Sequence, residues 1–149
     1  NNNNNVKKSL YINLPSLKKL NLSNNKIEDI NLLSKFKIDS LKDLKLNNND
    51  IENITVLNKV SFRKLRSINL SNNKISDISI FAELSFCNNI ENINVMNNEI
   101  VNINILRNIS LPRLKTFNLL NNDIADYSVF RLIFFPPLLI VSELMKSFT

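Results

Sequence analysis

Apolar residues recur along the chain at one fixed set of spacings, with polar residues between them. Between residues 65 and 78 the apolar positions are Leu65, Ile68, Leu70, Ile75 and Ile78. Four other segments show the same spacings, and they begin at Leu17, Leu41, Ile90 and Leu114. Inside each segment two apolar residues alternate with polar ones, which is typical of a short β-strand with one buried face. The pattern therefore predicts five repeats with one strand each.

An asparagine occupies the same place in every repeat. These residues are Asn25, Asn49, Asn73, Asn98 and Asn122. They follow one another at steps of 24, 24, 25 and 24 residues. A period of this length is typical of a solenoid, in which each repeat stacks on the next. A carboxamide both donates and accepts hydrogen bonds. We therefore predict that the stacked asparagines satisfy backbone groups of the loops from repeat to repeat.

A short helix is predicted after each turn. Two adjacent apolar residues, and a third placed three residues later, suit about two turns of α- or 3₁₀-helix packed on the core. The polar residue before each apolar pair is of a good N-cap type. The predicted N-caps are Asn31, Thr55, Ser79, Asn104 and Ser128.

The core of the repeat reads L-x-x-I-x-L-x-x-N-x-I from Leu65 to Ile75 and resembles the signature of leucine-rich repeat proteins. This resemblance implies an α/β fold, a curved leucine-rich repeat solenoid with a parallel sheet on its concave face and short helices on its convex face. The repeats then occupy residues 17–137. Residues 1–16 are expected to form a low-complexity stretch and a degenerate capping repeat, and residues 138–149 a C-terminal cap.

The two ends of the solenoid are expected to be covered by different segments. Leu10, Ile12 and Leu14 are predicted to cover the N-terminal end of the core. The C-terminal segment from Phe130 through Pro137 to Glu143 resembles the cap of intracellular leucine-rich repeat proteins. The proteins with this cap are of the protein phosphatase-1 regulator type and of the A-prime type of a spliceosomal ribonucleoprotein.

The composition of the chain bears on the residues that form its turns, on its cellular compartment and on whether it crosses a membrane. The chain has 149 residues, a net charge of +6, one cysteine and no glycine. Without glycine, turns with positive φ must be carried by asparagine. The single Cys87 excludes an internal disulfide, so we expect an intracellular protein, cytoplasmic or nuclear. No run of about 18 apolar residues is present, and neither a membrane partner nor a transmembrane helix is expected.

Catalytic chemistry is not favoured by the sequence. The chain has no histidine and therefore neither a Ser/His nor a Cys/His pair. Acidic residues recur near the predicted helix starts, where carboxylates favour exposed amides and the helix dipole. We predict that the chain is not an enzyme and binds no metal, cofactor or small-molecule substrate.

A basic edge is predicted beside the strands. The second position of each repeat carries Lys18, Lys42, Arg66, Glu91 and Lys115. Strands in a sheet lie about 4.8 Å apart, so the four cations form a column interrupted once, by Glu91. Such a strip suits RNA phosphates, and the alternative is a solvated edge that keeps the protein soluble.

The outward strand positions change character along the chain. They are polar in the first three repeats, whereas Met96 and Leu120 are apolar. Small apolar patches on a polar surface often mark contact sites. The predicted partner-binding residues are Lys45, Asn69, Asn94, Met96, Asn118 and Leu120. The alternative is that Leu144 or Met145 of the C-terminal cap covers the two apolar residues.

The function predicted from these observations is a non-catalytic, intracellular scaffold whose concave face binds a protein partner. A structural subunit of a ribonucleoprotein, contacting RNA through the basic edge, is the second interpretation. A secreted or surface adhesion protein of the internalin type also fits the repeats, although no export signal is read in the sequence.

Overall fold

The computed structural model describes residues 11–83 and 88–131. Five strands of three residues, one from each repeat, form a parallel sheet in chain order. They are β2 (Lys19–Asn21), β4 (Asp43–Lys45), β5 (Ser67–Asn69), β6 (Asn92–Asn94) and β7 (Thr116–Asn118). Two shorter strands, β1 (Ile12–Asn13) and β3 (Phe36–Lys37), pair in a separate sheet.

The helices that follow the turns are 3₁₀ helices. Those described span Asn31–Lys35, Thr55–Lys59, Ser79–Ala82, Asn104–Asn108 and Ser128–Arg131. Within the described ranges, none of the helices has the length and apolarity needed to span a bilayer.

The sheet register aligns equivalent residues of successive repeats. Leu44 pairs with Ile68, and Ile68 pairs with Ile93, and each of these side chains is buried. The apolar residues of the strands, turns and helices form one continuous core between the sheet and the helices. Because the register never shifts, each outward strand position forms a straight column across the repeats.

The N-terminal end of the core is less covered than its centre. Leu20 and Leu22 of the first repeat are half-buried, whereas the equivalent Leu44 and Leu46 are fully buried. Ile12 and Leu14 are 41% and 37% exposed, and the coverage of this end of the core by Leu10, Ile12 and Leu14 stays a prediction. Strand β1 pairs in parallel with β3 of the first repeat, with Ile12 opposite Phe36, and the Leu14 N–H donates to the Lys37 carbonyl at 3.0 Å. Leu10 lies outside the described residues.

The predicted N-cap residues are the first residues of their helices, and they do not cap them. Each of their backbone N–H groups donates to a side-chain oxygen two residues earlier. In the first repeat, Asn31 N–H donates to Asp29 Oδ1 at 2.6 Å. The equivalent acceptors in the other repeats are Asn53, Asp77, Asn102 and Asp126. The N-cap prediction was therefore wrong. In the first four of these helices the N-cap residue is an isoleucine without a side-chain cap hydrogen bond, and the Asp or Asn before it bonds the backbone two residues on.

The consensus asparagines form the predicted ladder. Asn73 is 8% exposed, and its Oδ1 accepts the Ile51 N–H of the preceding repeat at 3.0 Å. Its Nδ2 donates to the Leu46 and Leu70 carbonyls at 3.1 and 2.9 Å. Asn49, Asn98 and Asn122 bond in the same way. The ladder prediction is confirmed.

A second row of asparagines carries the positive φ angles of the turns. Their φ angles lie between 53° and 59°, and the residues are Asn24, Asn48, Asn72, Asn97 and Asn121. Their side chains also join the repeats, because Asn48 Nδ2 donates to Asn24 Oδ1 and Asn72 Nδ2 donates to Asn48 Oδ1, both at 2.7 Å. The prediction that asparagine takes the usual place of glycine in these turns is confirmed.

Candidate functional site

The concave face presents three columns of side chains. The first contains Lys19, Asp43, Ser67, Asn92 and Thr116. The second, here called the amide column, contains Asn21, Lys45, Asn69, Asn94 and Asn118. Backbone hydrogen bonds place the third column just after the strands, and it contains Ser23, Asn47, Ser71, Met96 and Leu120. All six residues predicted to bind a partner therefore lie on two adjacent columns.

The asparagines of the amide column are held by local hydrogen bonds. Asn94 Oδ1 accepts the Met96 N–H at 3.0 Å, and Asn118 Oδ1 accepts the Leu120 N–H at 3.1 Å. Asn69 accepts both the backbone N–H and the hydroxyl of Ser71. Each carboxamide thus closes a turn at the end of its strand. The sequence contained a signal for these hydrogen bonds, an asparagine two residues before the backbone N–H that it accepts. The spacing alone, however, does not give the orientation of the side chain.

Met96 and Leu120 lie in neighbouring repeats, and both side chains are half-buried. Asn118 Nδ2 approaches the Met96 sulfur at 3.7 Å, so the amide column and the apolar pair touch. The structure thus brings together Met96, Leu120, Asn94 and Asn118, with Lys45 and Asn69 farther along the amide column. Leu144 and Met145, the alternative cover for this pair, lie outside the described residues, as do the rest of the C-terminal cap and Cys87.

The basic edge is a column, but Glu91 does not simply interrupt it. Backbone hydrogen bonds of 2.7 to 2.9 Å align Lys18, Lys42, Arg66, Glu91 and Lys115. Glu91 lies 2.7 Å from Lys115 Nζ and 3.6 Å from Arg66 Nη1. The hydrogen bond from Lys115 lowers the pKa of the Glu91 carboxyl, although partial desolvation opposes this. Two of the four predicted RNA-binding cations therefore share one carboxylate.

A cleft of about 230 Å³ lies along this edge in the second and third repeats. Lys42, Arg63, Lys64 and Arg66 line it together with Asn89. Asn89 donates to the Arg63 carbonyl at 2.9 Å and thereby fixes the loop that carries Arg63 and Lys64. The cleft concentrates positive charge that sequence spacing had distributed evenly along the edge.

The acidic residues near the helix starts have structural partners. Hydrogen bonds from the backbone and hydroxyl of Ser128 lower the pKa of Asp126. Asp50 lies 2.8 Å from Lys74 and, through this hydrogen bond, raises the pKa of the lysine. In the described part of the chain, no group of three or more acidic, cysteine or histidine side chains could hold a metal.

Known proteins show the same architecture. No protein-family model matches the sequence, and a search of curated proteins finds no match. Among solved structures, an internalin of Listeria monocytogenes matches with a TM-score of 0.63 and 34% identity over 76% of this chain. Internalin C2 of the same organism matches with a TM-score of 0.63 and 30% identity over 77% of the chain. The chain spans 31% and 47% of the lengths of these two proteins.

Internalins are leucine-rich repeat proteins, and the likeness confirms the predicted fold class. The chain is a curved α/β leucine-rich repeat solenoid, with the parallel sheet on its concave face and short helices on its convex face. The resemblance of the C-terminal segment to the cap of intracellular relatives stays a prediction, as does an intracellular location.

Proposed function

We propose that the chain is a non-catalytic scaffold that binds a protein partner on its concave face. The observation that carries this proposal is the contact between the apolar pair Met96 and Leu120 and the amide column. A small apolar patch beside rigid hydrogen-bonding groups is the usual composition of an interaction surface. The likeness to internalins supports the class of interaction scaffold and leaves the partner open.

Rigidity supports the same proposal. The ladder asparagines and the turn asparagines tie each repeat to the next on both sides of the turn. The amide column is fixed by its own turns. A surface that is already ordered loses little conformational entropy on binding, so modest contacts give useful affinity.

The test replaces the apolar pair by the residue that the first and third repeats carry at the same position, in the double variant Met96→Ser with Leu120→Ser. The immobilised protein and this variant are compared for capture of proteins from a lysate of the source organism, identified by mass spectrometry. A protein captured by the wild type and lost in the double variant supports the proposal.

A matched control changes two exposed apolar residues elsewhere. Leu32 on a helix and Val101 beyond a turn are 63% and 51% exposed, and Leu32→Ser with Val101→Ser should leave capture unchanged. Thermal unfolding of both double variants shows whether they fold. If Met96→Ser with Leu120→Ser binds the same partner as the wild type, the apolar pair is not the contact site.

The basic cleft favours a second function, contact with RNA phosphates within a ribonucleoprotein. Four cations around one cleft suit a phosphate backbone. RNA affinity should then fall linearly with the logarithm of the salt concentration and disappear in Lys42→Glu with Arg66→Glu, while circular dichroism stays unchanged. RNA affinity retained in that variant would exclude the cleft as the site.

A further inference from the structure

The hydrogen bonds of the amide column determine which way each carboxamide faces. A backbone N–H can donate only to the oxygen of an asparagine side chain, so the atom that closes the turn must be Oδ1. This holds for Asn21, Asn69, Asn94 and Asn118. The opposite end of each carboxamide, the Nδ2 group with its two protons, is therefore available to the concave face.

Most of these donors have no acceptor of their own. In the described part of the chain, Nδ2 of Asn21, Asn69 and Asn94 has no hydrogen-bond partner, and Asn118 reaches only the weakly accepting sulfur of Met96. The remaining member of the column is Lys45, which is a donor and a cation. The whole column thus offers donors across five consecutive strands.

The neighbouring columns do little to balance this excess. Asp43 is the one carboxylate among the three columns, and the cation Lys19 stands opposite it in the sheet register. Asn92 Oδ1 is occupied by the hydroxyl of Thr116 at 2.7 Å, which turns its own Nδ2 outward as well. A partner that fits this face must therefore bring acceptors, and carboxylates are the acceptors that form the strongest hydrogen bonds with such donors.

The spacing of the donors favours a helical arrangement of the acceptors. Adjacent strands lie about 4.8 Å apart, so Asn69, Asn94 and Asn118 extend over roughly 10 Å. Residues i, i+3 and i+7 of an α-helix lie on one face and also extend over roughly 10 Å, at about 1.5 Å per residue. A convex helix also fits a concave sheet.

We propose that the concave face binds an acidic α-helix of the partner, lying across the strands. Carboxylates at helix positions i, i+3 and i+7 accept from Asn69, Asn94 and Asn118, and an apolar residue at i+4 packs on Met96 and Leu120. The proposal rests on the proposed function, since it specifies the chemistry of the protein partner that the same face binds.

The probe is a synthetic helix of about 15 residues, stabilised by a side-chain crosslink, with glutamates at i, i+3 and i+7 and a leucine at i+4. Binding is followed by NMR through the side-chain NH₂ signals of the asparagines. On addition of the helix, the signals of Asn69, Asn94 and Asn118 should shift, whereas those of the buried ladder residues Asn73 and Asn98 should not. No shift at millimolar concentrations of the helix would overturn the proposal.

The decisive variant is Asn69→Asp with Asn94→Asp. It keeps the oxygen that closes each turn but replaces the outward donor by a second, negatively charged acceptor. Affinity for the acidic helix should fall by roughly tenfold or more, which corresponds to about 1.4 kcal/mol. The same helix with lysines in place of the glutamates should bind this variant better than the wild type.

The control makes the same chemical change off the concave face. Asn53 and Asn102 accept a backbone N–H two residues on in the same way, and aspartate stands at the equivalent place in three repeats. Asn53→Asp with Asn102→Asp should leave the affinity within about twofold. Equal losses in both double variants would show that only net charge matters, and the proposal would fail.

Two further outcomes separate this proposal from others. If single-stranded RNA binds more tightly than the acidic helix and loses affinity in the same variant, the donors recognise phosphates and the proposal is wrong. If the acidic helix does not bind while Met96→Ser with Leu120→Ser still abolishes partner capture, the scaffold function stands and the acidic helix is excluded.

Discussion

Removing the central ladder asparagine tests how the repeats are joined. Asn73→Ala deletes four hydrogen bonds, one accepted from Ile51 N–H and three donated to carbonyl groups. The carbonyls of Leu46 and Leu70 each keep one bond, because Asn49 and Asn98 also donate to them. The Ile51 N–H keeps no partner in the described residues, and the side chain of Ile51 is completely buried.

The expected loss of stability follows from this count. An unsatisfied buried donor costs about 1–3 kcal/mol, whereas the carbonyls, which remain bonded, add little. Asn73→Ala should therefore destabilise the protein by about 2 kcal/mol. For a chain of this length the thermal midpoint should fall by roughly 2–4 °C for each kcal/mol.

The measurement is urea and thermal unfolding followed by circular dichroism, with Asn25→Ala as the matched control. Asn25 stands at the exposed end of the ladder, where its Nδ2 donates to two carbonyls of its own turn. Its Oδ1 accepts from no backbone N–H in the described part of the chain. Asn25→Ala should therefore cost under about 1 kcal/mol. Equal effects of the two variants, or an unchanged midpoint in Asn73→Ala, would refute the proposed role of the ladder.

Three other predictions address the turns and the basic edge. Asn72 has a φ of 56°, so Asn72→Ala should be less stable than Asn72→Gly by about 1 kcal/mol in urea unfolding, and equal stabilities would contradict this. Asp77 Oδ1 accepts the Ser79 N–H, so Asp77→Asn should preserve stability while Asp77→Ala should lower it by about 1 kcal/mol. Because the hydrogen bond from Lys115 lowers the pKa of Glu91, the ionised carboxylate stabilises the fold above its ordinary pKa. This contribution is lost as the pH falls through the lower folded value. The difference in unfolding between Glu91→Gln and wild type at pH 7 should therefore shrink as the pH falls below the ordinary glutamate pKa of about 4.3 and through the lower folded value, and a constant difference would argue against the ion pair.

The features that depend on periodicity were predictable from the sequence. A fixed register follows when apolar residues recur at identical spacings, so the strand positions, the buried face and the Asn73 ladder could all be derived. Features that depend on the direction of a side chain could not be predicted from the sequence. Glu91 was interpreted as a break among the cations, yet it joins Arg66 to Lys115, because oppositely charged neighbours across strands attract. Spacing likewise placed the N-cap at Ser79, whereas the N-cap residue is Ile78 and the Ser79 N–H donates to Asp77.

The end of the solenoid was the least predictable part. Ile12 was expected on the core because it is apolar and precedes the first repeat. Its strand pairs with Phe36 and Lys37 at the same 24-residue offset as strands β2 and β4 of the main sheet, but Ile12 stays 41% exposed. A terminal segment has a neighbour on one side only, so its side chains stay more exposed than those of the inner repeats. The predicted domain limits at residues 16 and 137 therefore stay predictions.

Each repeat uses asparagine for distinct physical purposes, as Asn69, Asn72 and Asn73 show in the third repeat. Asn69 closes a turn and faces its NH₂ outward, Asn72 holds a positive φ, and Asn73 joins its repeat to the preceding one. Because four of five repeats present the same outward donor, the amide column cannot by itself fix where along the solenoid a partner binds. The position of a partner along the solenoid must come from the repeats in which a column changes its residue type. These are the second repeat, with Lys45 in the amide column, and the fourth and fifth repeats, with Met96 and Leu120 in the third column. A partner helix with its carboxylates in register and its apolar residue at the wrong end should therefore bind more weakly than one that matches both.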